Sequence, residues 1–233
     1  MTPYAAPTRA VFFDVDFTLI HPGPAFQGSG YREYCARYGV DVRADAFADA
    51  VAAASTLLDE CAGAYDPAIF IEYIRRIIEA MGGEGEGVQD AARGLYEEWA
   101  ACHHFSLYEE VPEVLRELRR RGLTIGIISN TQRCLTSFQS HFALDGFFAV
   151  MLSSAAHGYM KPHPSIFRTA LEQAGASASE SVMVGDSIAH DIAGARRLGM
   201  RAVLVSRSGH AHACPPDVPV IRTLRELPAL IVR

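Results

Sequence analysis

The chain has 233 residues, of which 49% are hydrophobic, and it carries a formal net charge of −6 at pH 7. This length and composition allow one well-buried core with a smaller second unit, and no stretch approaches the roughly 18 consecutive apolar residues of a membrane span. Because the balance is acidic and no long lysine and arginine run occurs, a nucleic-acid partner is not expected.

The start of the chain gives no sign of export. Met1-Thr2-Pro3-Tyr4 lacks the charged segment followed by an apolar segment that is typical of a secretory signal. The cysteines are odd in number and scattered, and none shows Cys-x-x-Cys spacing: Cys35, Cys61, Cys102, Cys134 and Cys214. This pattern argues against a disulfide framework and against a cysteine zinc site. A cytoplasmic protein with reduced cysteines is therefore expected.

The first predicted strand is an apolar run over residues 10–14. It ends in Asp14, with Asp16 one residue beyond it and Thr18 close behind. Carboxylates at the end of a buried strand cost free energy unless a cation or a proton compensates their charge. The pair indicates a metal site or a reaction, and a solvated turn after the strand is the alternative.

A helical insertion is predicted after this strand. Residues 28–101 show helical periodicity and few strand signals, with an internal break at the glycine-rich loop 82–87. The expected organisation is a discontinuous sheet domain of residues 1–21 and 106–233 and a helical domain of residues 22–105. Two junctions at neighbouring points would allow the helical domain to act as a hinged lid.

From about residue 110 onward, short apolar strands alternate with amphipathic helices. Strands are expected at residues 123–128, 147–152, 181–184 and 201–205, and helices are expected to begin near residues 111, 164 and 188. Such alternation produces right-handed crossovers and a parallel sheet with helices on both faces. The expected fold is a Rossmann-like α/β sheet that includes the first strand.

Polar side chains follow several of these strands, at the edge of a parallel sheet where ligands bind. They are Asp14 and Asp16 after the first strand, Ser129 and Asn130 after the second, Lys161 after the third, and Asp186 and Asp191 after the fourth. Lys161 is the only lysine in the chain. Mg²⁺ favours one or two carboxylates with waters and a substrate phosphate, which Asp14 and Asp186 can supply. Ser129 suits phosphate oxygens, whose charge Lys161 would compensate.

Segments of this chain resemble the motifs of the haloacid dehalogenase-like hydrolase superfamily, in the same order. They are residues 14–19, 127–130, 161–164 and 185–191. The helical insertion between the first two resembles the cap of the subclass that includes phosphatases, mutases, phosphonatases and dehalogenases. Each motif alone is weak, but the ordered set is specific. The resemblance implies a core of that superfamily with an inserted α-helical cap domain.

The resemblance also implies a role for each site residue. Asp14 would be the nucleophile that forms an aspartyl-phosphate, and also a metal ligand. Asp16 would be the general acid and base and would meet the metal through its main-chain carbonyl. Asp186 would bind Mg²⁺, and Asp191 would hold the metal directly or through water. The phosphoryl group would be bound by Thr18, Ser129, Asn130 and Lys161, with Lys161 also counted as catalytic.

The chemistry can be narrowed within the superfamily. Its dehalogenases lack an acid at the position of Asp16, so this residue favours phosphoryl transfer. Its phosphonatases use a cap lysine, and residues 22–105 contain none. The expected activity is hydrolysis of a small phosphorylated metabolite with Mg²⁺. A phosphomutase and a non-catalytic phosphate-binding protein remain as alternatives, and the substrate and the oligomeric state stay open.

Some polar residues have ordinary structural interpretations. Ser129 also suits a helix cap, and Asp191 suits the first turn of a helix. The histidine pair His103-His104 has no further ligand at a recognisable spacing, nor has the segment His210–Cys214. Neither is expected to bind a metal.

Overall fold

A computed structural model of the chain describes residues 7–59, 63–207 and 214–231 and places most of its strands in one sheet. The strands are β1 (Ala10–Phe13), β2 (Ile20–Pro22), β3 (Phe105–Leu107), β4 (Thr124–Ser129), β5 (Val150–Ser153), β6 (Ser181–Gly185), β7 (Arg201–Val205) and β8 (Val220–Ile221). The main sheet has the order β5-β4-β1-β6-β7-β8, and its neighbouring strands all pair in parallel. Helices flank this sheet, so the predicted Rossmann-like α/β fold is confirmed.

Strand β1 lies at the centre of the sheet, between β4 and β6. All residues of β1 and of β6 are buried, as is typical of parallel strands that are covered on both faces. The ladder continues one residue beyond β1, because the amide of Asp14 donates to the carbonyl of Val184 at 2.9 Å. This bond holds the main chain of Asp14 at the middle of the sheet's carboxyl edge.

The α-helices occur throughout the described residues. They are α1 (Gly28–Ala36), α2 (Phe47–Asp59), α3 (Pro67–Ala80), α4 (Gly87–Trp99), α5 (Val111–Arg120), α6 (Leu135–His141), α7 (Ser154–His157), α8 (Pro164–Ala174), α9 (Ala193–Arg197) and α10 (Leu227–Leu230). Helix α5 illustrates how helical periodicity in the sequence predicted a helix that the structure contains. Its buried side chains are Val111, Val114, Leu115 and Leu118. A proline in its first turn favours initiation, and Gly122 follows with a φ of +74°.

Two predicted elements differ in detail. The strand expected from residue 147 begins only at Val150, because Phe147 closes a turn in which its amide donates to Leu144 and Gly146 has a φ of +76°. The helix expected over residues 188–198 is divided into a π-helical turn, Ile188–Ile192, and the short α9. Periodicity located both segments without resolving these backbone irregularities.

The chain divides into two compact units. The sheet unit comprises Met1–His21, Ala62–Ala64 and Leu107–Arg233, and the helical unit comprises Pro22–Cys61 and Tyr65–Ser106. Residues near Ala64 group with the sheet unit because Ala64 forms an antiparallel bridge with Tyr159, and the amide of Met160 donates to Gly63 at 3.1 Å. Strands β2 and β3, where the chain passes from one unit to the other, pair with each other.

The helical unit contains α1 to α4. Helix α3 begins at Pro67, where the side chain of Asp66 accepts a hydrogen bond from the amide of Ala68 at 2.9 Å. This cap satisfies one of the amides that a helix start leaves unpaired. The turn between α3 and α4 contains Gly82 and Gly85 at positive φ, which accounts for the break predicted there. Among the described residues, none of the helices is long and apolar enough to cross a membrane.

Candidate active site

Every site residue predicted from the sequence lies in the sheet unit, at the carboxyl end of a strand or in the segment that follows it. They are Asp14, Asp16 and Thr18 after β1, Ser129 and Asn130 at the end of β4, Lys161 beyond β5, and Asp186 and Asp191 after β6. The strand order brings these ends together at the middle of one sheet edge.

Lys161 is the charged centre of this edge. The residue is 1% exposed, and its ammonium group donates to Asp14 Oδ1 at 2.6 Å, to Asp191 Oδ1 at 2.7 Å and to the carbonyl of Ile128 at 2.7 Å. An ammonium group has three donors, and these three bonds use them all. Burial alone would lower the pKa of Lys161, but the two carboxylates raise it above its ordinary value.

Asn130 fixes the main chain of Lys161. Its Nδ2 donates to the carbonyl of Lys161 at 2.9 Å, and its Oδ1 accepts from the amide of Lys161 at 2.7 Å. Asn130 was expected among the phosphate ligands, but both ends of its amide are occupied here by the backbone. In this structure it therefore orients Lys161.

Three carboxylates converge beside Lys161. One oxygen from each of Asp14, Asp186 and Asp191 lies within 4.8 Å of the others. The second oxygen of Asp191 accepts from the amide of Ser187 at 3.1 Å. Close approach depends on Gly185, because a Cβ there would lie 2.1 Å from Asp191 Oδ2. The side chain of Asp191 therefore packs directly against the end of β6, where only a glycine fits.

In this group the negative charge of three carboxylates exceeds the positive charge of Lys161. Burial raises the pKa of Asp14 from 3.8 to about 7; Lys161 opposes this rise, and nearby carboxylates add to it. Desolvation and the charges of Asp14 and Asp191 also raise the pKa of Asp186 well above its ordinary value. A divalent cation would relieve this repulsion, and oxygen ligands of this kind suit Mg²⁺. The residues present therefore fit the metal that the sequence predicted.

Asp16 stands apart from these three carboxylates. Its oxygens Oδ1 and Oδ2 accept from Arg133 Nη1 at 3.0 and 3.3 Å. Sequence reasoning missed Arg133. Its position in the loop after β4, three residues beyond Asn130, could have identified it. Side chains in such loops face the same sheet edge as the predicted site.

Two buried hydroxyls at the site are unsatisfied. Thr18 is 0% exposed and Ser129 is 1% exposed, and neither hydroxyl oxygen has a hydrogen-bond partner among the described residues. Buried polar groups are rarely left unpaired in native proteins. Both are residues that the sequence predicted to bind phosphate oxygens, which would satisfy these groups.

Arg207 supports the turn that follows Asp14. Its guanidinium donates to the carbonyls of Phe17 and Thr18 at 3.3 and 2.8 Å and to Glu110 at 2.8 Å, and its central carbon lies 3.2 Å from the ring centroid of Tyr108. Phe17 is 44% exposed and has a φ of +62°. A cavity of about 320 Å³ is lined by these aromatic side chains, Arg207 and Asp186. No pattern in the sequence indicated that Arg207 would support this turn.

The histidines outside this edge have a simpler explanation. His104 Nε2 lies 2.7 Å from Glu98 Oε2, and His103 is close enough for the three to form a ligand-sized group. The direct bond between Glu98 and His104 accounts for the proximity of these two side chains. His210 and His212 lie outside the described residues.

The chain is similar to a family of hydrolases and to several known proteins. The family model described as haloacid dehalogenase-like hydrolase matches residues 8–199. A phosphoserine phosphatase of Thermus thermophilus is 36% identical over 134 residues, which cover 57% of this chain and 53% of that protein. The chain spans about half the length of most of the curated relatives it matches.

Two solved structures resemble nearly the whole chain. A HAD phosphatase from Thermococcus onnurineus is 25% identical with a TM-score of 0.64, and the match covers 96% of this chain and 97% of that one. A 2-haloacid dehalogenase from Pseudomonas syringae pv. Tomato DC3000 is 28% identical with a TM-score of 0.62 and the same coverage. The shared architecture therefore accommodates both kinds of chemistry.

Proposed function

The chain belongs to the haloacid dehalogenase-like hydrolase family, and on that premise we propose that it is a Mg²⁺-dependent phosphatase acting on a small phosphate monoester. The observation that carries the proposal is the group formed by Asp14, Asp186 and Asp191 around the single Lys161. The unsatisfied hydroxyls of Thr18 and Ser129 beside it add the polar contacts that a phosphoryl group needs. Similarity to a protein named phosphoserine phosphatase supports the same reaction class.

The proposed metal ligands are Asp14 and Asp186, with Asp191 holding the site directly or through water. Asp16 would contribute its main-chain carbonyl. When bound, Mg²⁺ would neutralise charge on the phosphoryl oxygens. Lys161 would share that charge, while Asn130 keeps its backbone in place.

The proposed reaction has two steps at phosphorus. In the first, a carboxylate oxygen of Asp14 forms a bond to phosphorus as the bond to the leaving oxygen breaks, and Asp16 gives its proton to that oxygen. In the second, a water attacks phosphorus and releases Asp14, and Asp16 accepts the proton of the water. Ser129 and Thr18 would hold the phosphoryl oxygens through both steps.

Asp16 is the residue that favours a phosphatase over a dehalogenase. A halide leaves without a proton, whereas an alkoxide leaving group needs an acid. The chain is similar to structures named as both classes, so the acid at this position distinguishes between them. We further propose that the helical unit, Pro22–Cys61 and Tyr65–Ser106, is a cap domain of the kind that the resemblance implies.

The function is tested by measuring phosphate release from p-nitrophenyl phosphate and from a panel of phosphorylated metabolites, with and without Mg²⁺. We expect Mg²⁺-dependent release that Asp14→Asn abolishes, together with a hydroxylamine-sensitive phosphoryl label that this variant lacks. Circular dichroism would show that the variant is folded. No release by the wild-type protein from any substrate would overturn the proposal. Conversion of one sugar phosphate to another without free phosphate would identify a mutase instead.

A further inference from the structure

Arg133 has no place in the motifs that define the reaction, yet it is the largest of the fully buried side chains in the described residues. Its side chain is 1% exposed, and its ion pair with Asp16 joins residues that are 117 positions apart in the chain. A guanidinium in the interior is tolerated only when it is paired and hydrogen-bonded. The pair is therefore a determinant of where the Asp16 carboxylate lies.

We propose that Arg133 is a positioning residue that holds the Asp16 carboxylate in place for proton transfer with the leaving group. The inference rests on the proposed function and goes beyond it by assigning a role to a residue outside the catalytic set. Arg133 Nη1 contacts both oxygens of Asp16, at 3.0 and 3.3 Å. A donor that contacts both oxygens limits rotation of the carboxylate as well as its displacement.

The loop after β4 makes Arg133 a firm support. The amide of Arg133 donates to Thr131 Oγ1 at 3.0 Å, and Thr131 is itself buried. The carbonyl of Thr131 accepts from the hydroxyl of Ser154 at 3.4 Å and from the amide of Ala155 at 3.3 Å. The loop is thus fixed to the first residues of helix α7, which directly follows strand β5.

The same loop supports two groups that act on the phosphate ester. Asn130 fixes the backbone of Lys161, and Arg133 fixes the side chain of Asp16. Asp16 needs such support because it lies in a turn: its neighbour Phe17 has a positive φ and is exposed. Proton transfer requires an approach of about 2.6–3.2 Å between heavy atoms, so small displacements of this carboxylate would slow it.

The inference is tested by leaving-group dependence. p-Nitrophenolate leaves without a proton, whereas an alkoxide needs the acid. The parameter kcat/KM reports only steps up to release of the leaving group, so it excludes the later attack of water. For Arg133→Met we expect kcat/KM to fall about 100-fold more with an alkyl phosphate than with p-nitrophenyl phosphate, which lies within the usual contribution of general acid catalysis.

Further variants separate positioning from general structural damage. Asp16→Asn should show the same selective loss, and adding Arg133→Met to it should cost little more, because both changes remove one interaction. Arg133→Lys, which keeps a buried positive charge, should restore part of the alkyl phosphate activity. Arg121→Met is the matched control, since Arg121 also forms an ion pair and contacts backbone carbonyls, away from Asp16. It should leave the ratio of the two substrates unchanged.

The outcomes distinguish the two proposals. If the wild-type protein releases phosphate from neither substrate, the proposed function fails. If the wild-type protein is active and Arg133→Met lowers kcat/KM for both substrates by the same factor, Arg133 is only structural and the inference is overturned. Where the methionine variant does not fold, an equal loss of kcat/KM for both substrates in Arg133→Lys overturns it in the same way. Thermal melts of each variant identify those that are folded.

Discussion

Two regions of the molecule collect potential metal ligands, and they differ in how their charges are satisfied. At the sheet edge, the ammonium group of Lys161 bonds to Asp14 and Asp191, and burial together with neighbouring carboxylates raises the pKa values of Asp14 and Asp186. In the helical unit, Glu98 and His104 bond directly to each other. Ligand atoms therefore lie close together in both regions, and the raised carboxylate pKa values make the sheet edge the candidate metal site.

The largest expected effect tests the sheet edge through its single cation. Lys161→Met keeps most of the side-chain volume but leaves Asp14 and Asp191 without their ammonium partner. Removing one member of a buried ion pair costs about 3–5 kcal/mol, so the free energy of unfolding in urea should fall by that amount. Arg225→Met, which breaks an exposed pair with Glu113, should cost less than about 1 kcal/mol. Equal losses for both variants would contradict the comparison.

The next effect concerns metal binding and compares two acid-to-amide changes. Asp186→Asn should weaken Mg²⁺ binding in calorimetry by at least about 10-fold, since even indirect support of a metal ligand contributes that much. Glu98→Gln in the helical unit should leave the Mg²⁺ affinity unchanged. Weakening by the second variant instead of the first would move the metal site to the helical unit.

A third effect is the pH dependence of the metal-free protein. Because the pKa of Asp14 is raised from 3.8 to about 7 in the folded protein, the folded state binds more protons than the unfolded state within that interval. The contribution of Asp14 to stability therefore decreases as the pH rises from about 4 to 7. Thermal melts in chelator should show this decrease, and Mg²⁺ should stabilise the protein more above pH 7 than near pH 4. A Mg²⁺ effect of the opposite pH dependence would argue against the raised pKa.

Much of the fold was predictable because apolar runs and helical periodicity mark the layers of an α/β sheet. Asp14 and Ser129 follow buried strands, so their meeting at one edge follows from parallel topology. The two-stranded ladder of β2 and β3 was not predicted, since runs of three residues carry no reliable period. The π-helical turn at Ile188–Ile192 is a matter of backbone geometry that side-chain patterns do not reveal.

Side-chain pairing was harder to predict than topology. Arg133 and Asp16 meet across 117 positions, and nothing in the local pattern of either segment specifies that contact. The sequence correctly placed Asn130 at the end of a strand. Both ends of its side-chain amide bond to the backbone of Lys161, however, and these bonds depend on the path of the chain between β5 and Lys161. Glu98 shows the same limit, because its bond to His104 arises from the turn after α4.

The burial of Lys161 also has a practical consequence for labelling. It is the only lysine in the chain and is 1% exposed, so an amine-specific reagent has little access to it in the folded protein. Acylation of Lys161 requires its three hydrogen bonds to open. Its rate of modification, followed by mass spectrometry, would therefore report the rate at which this sheet edge opens.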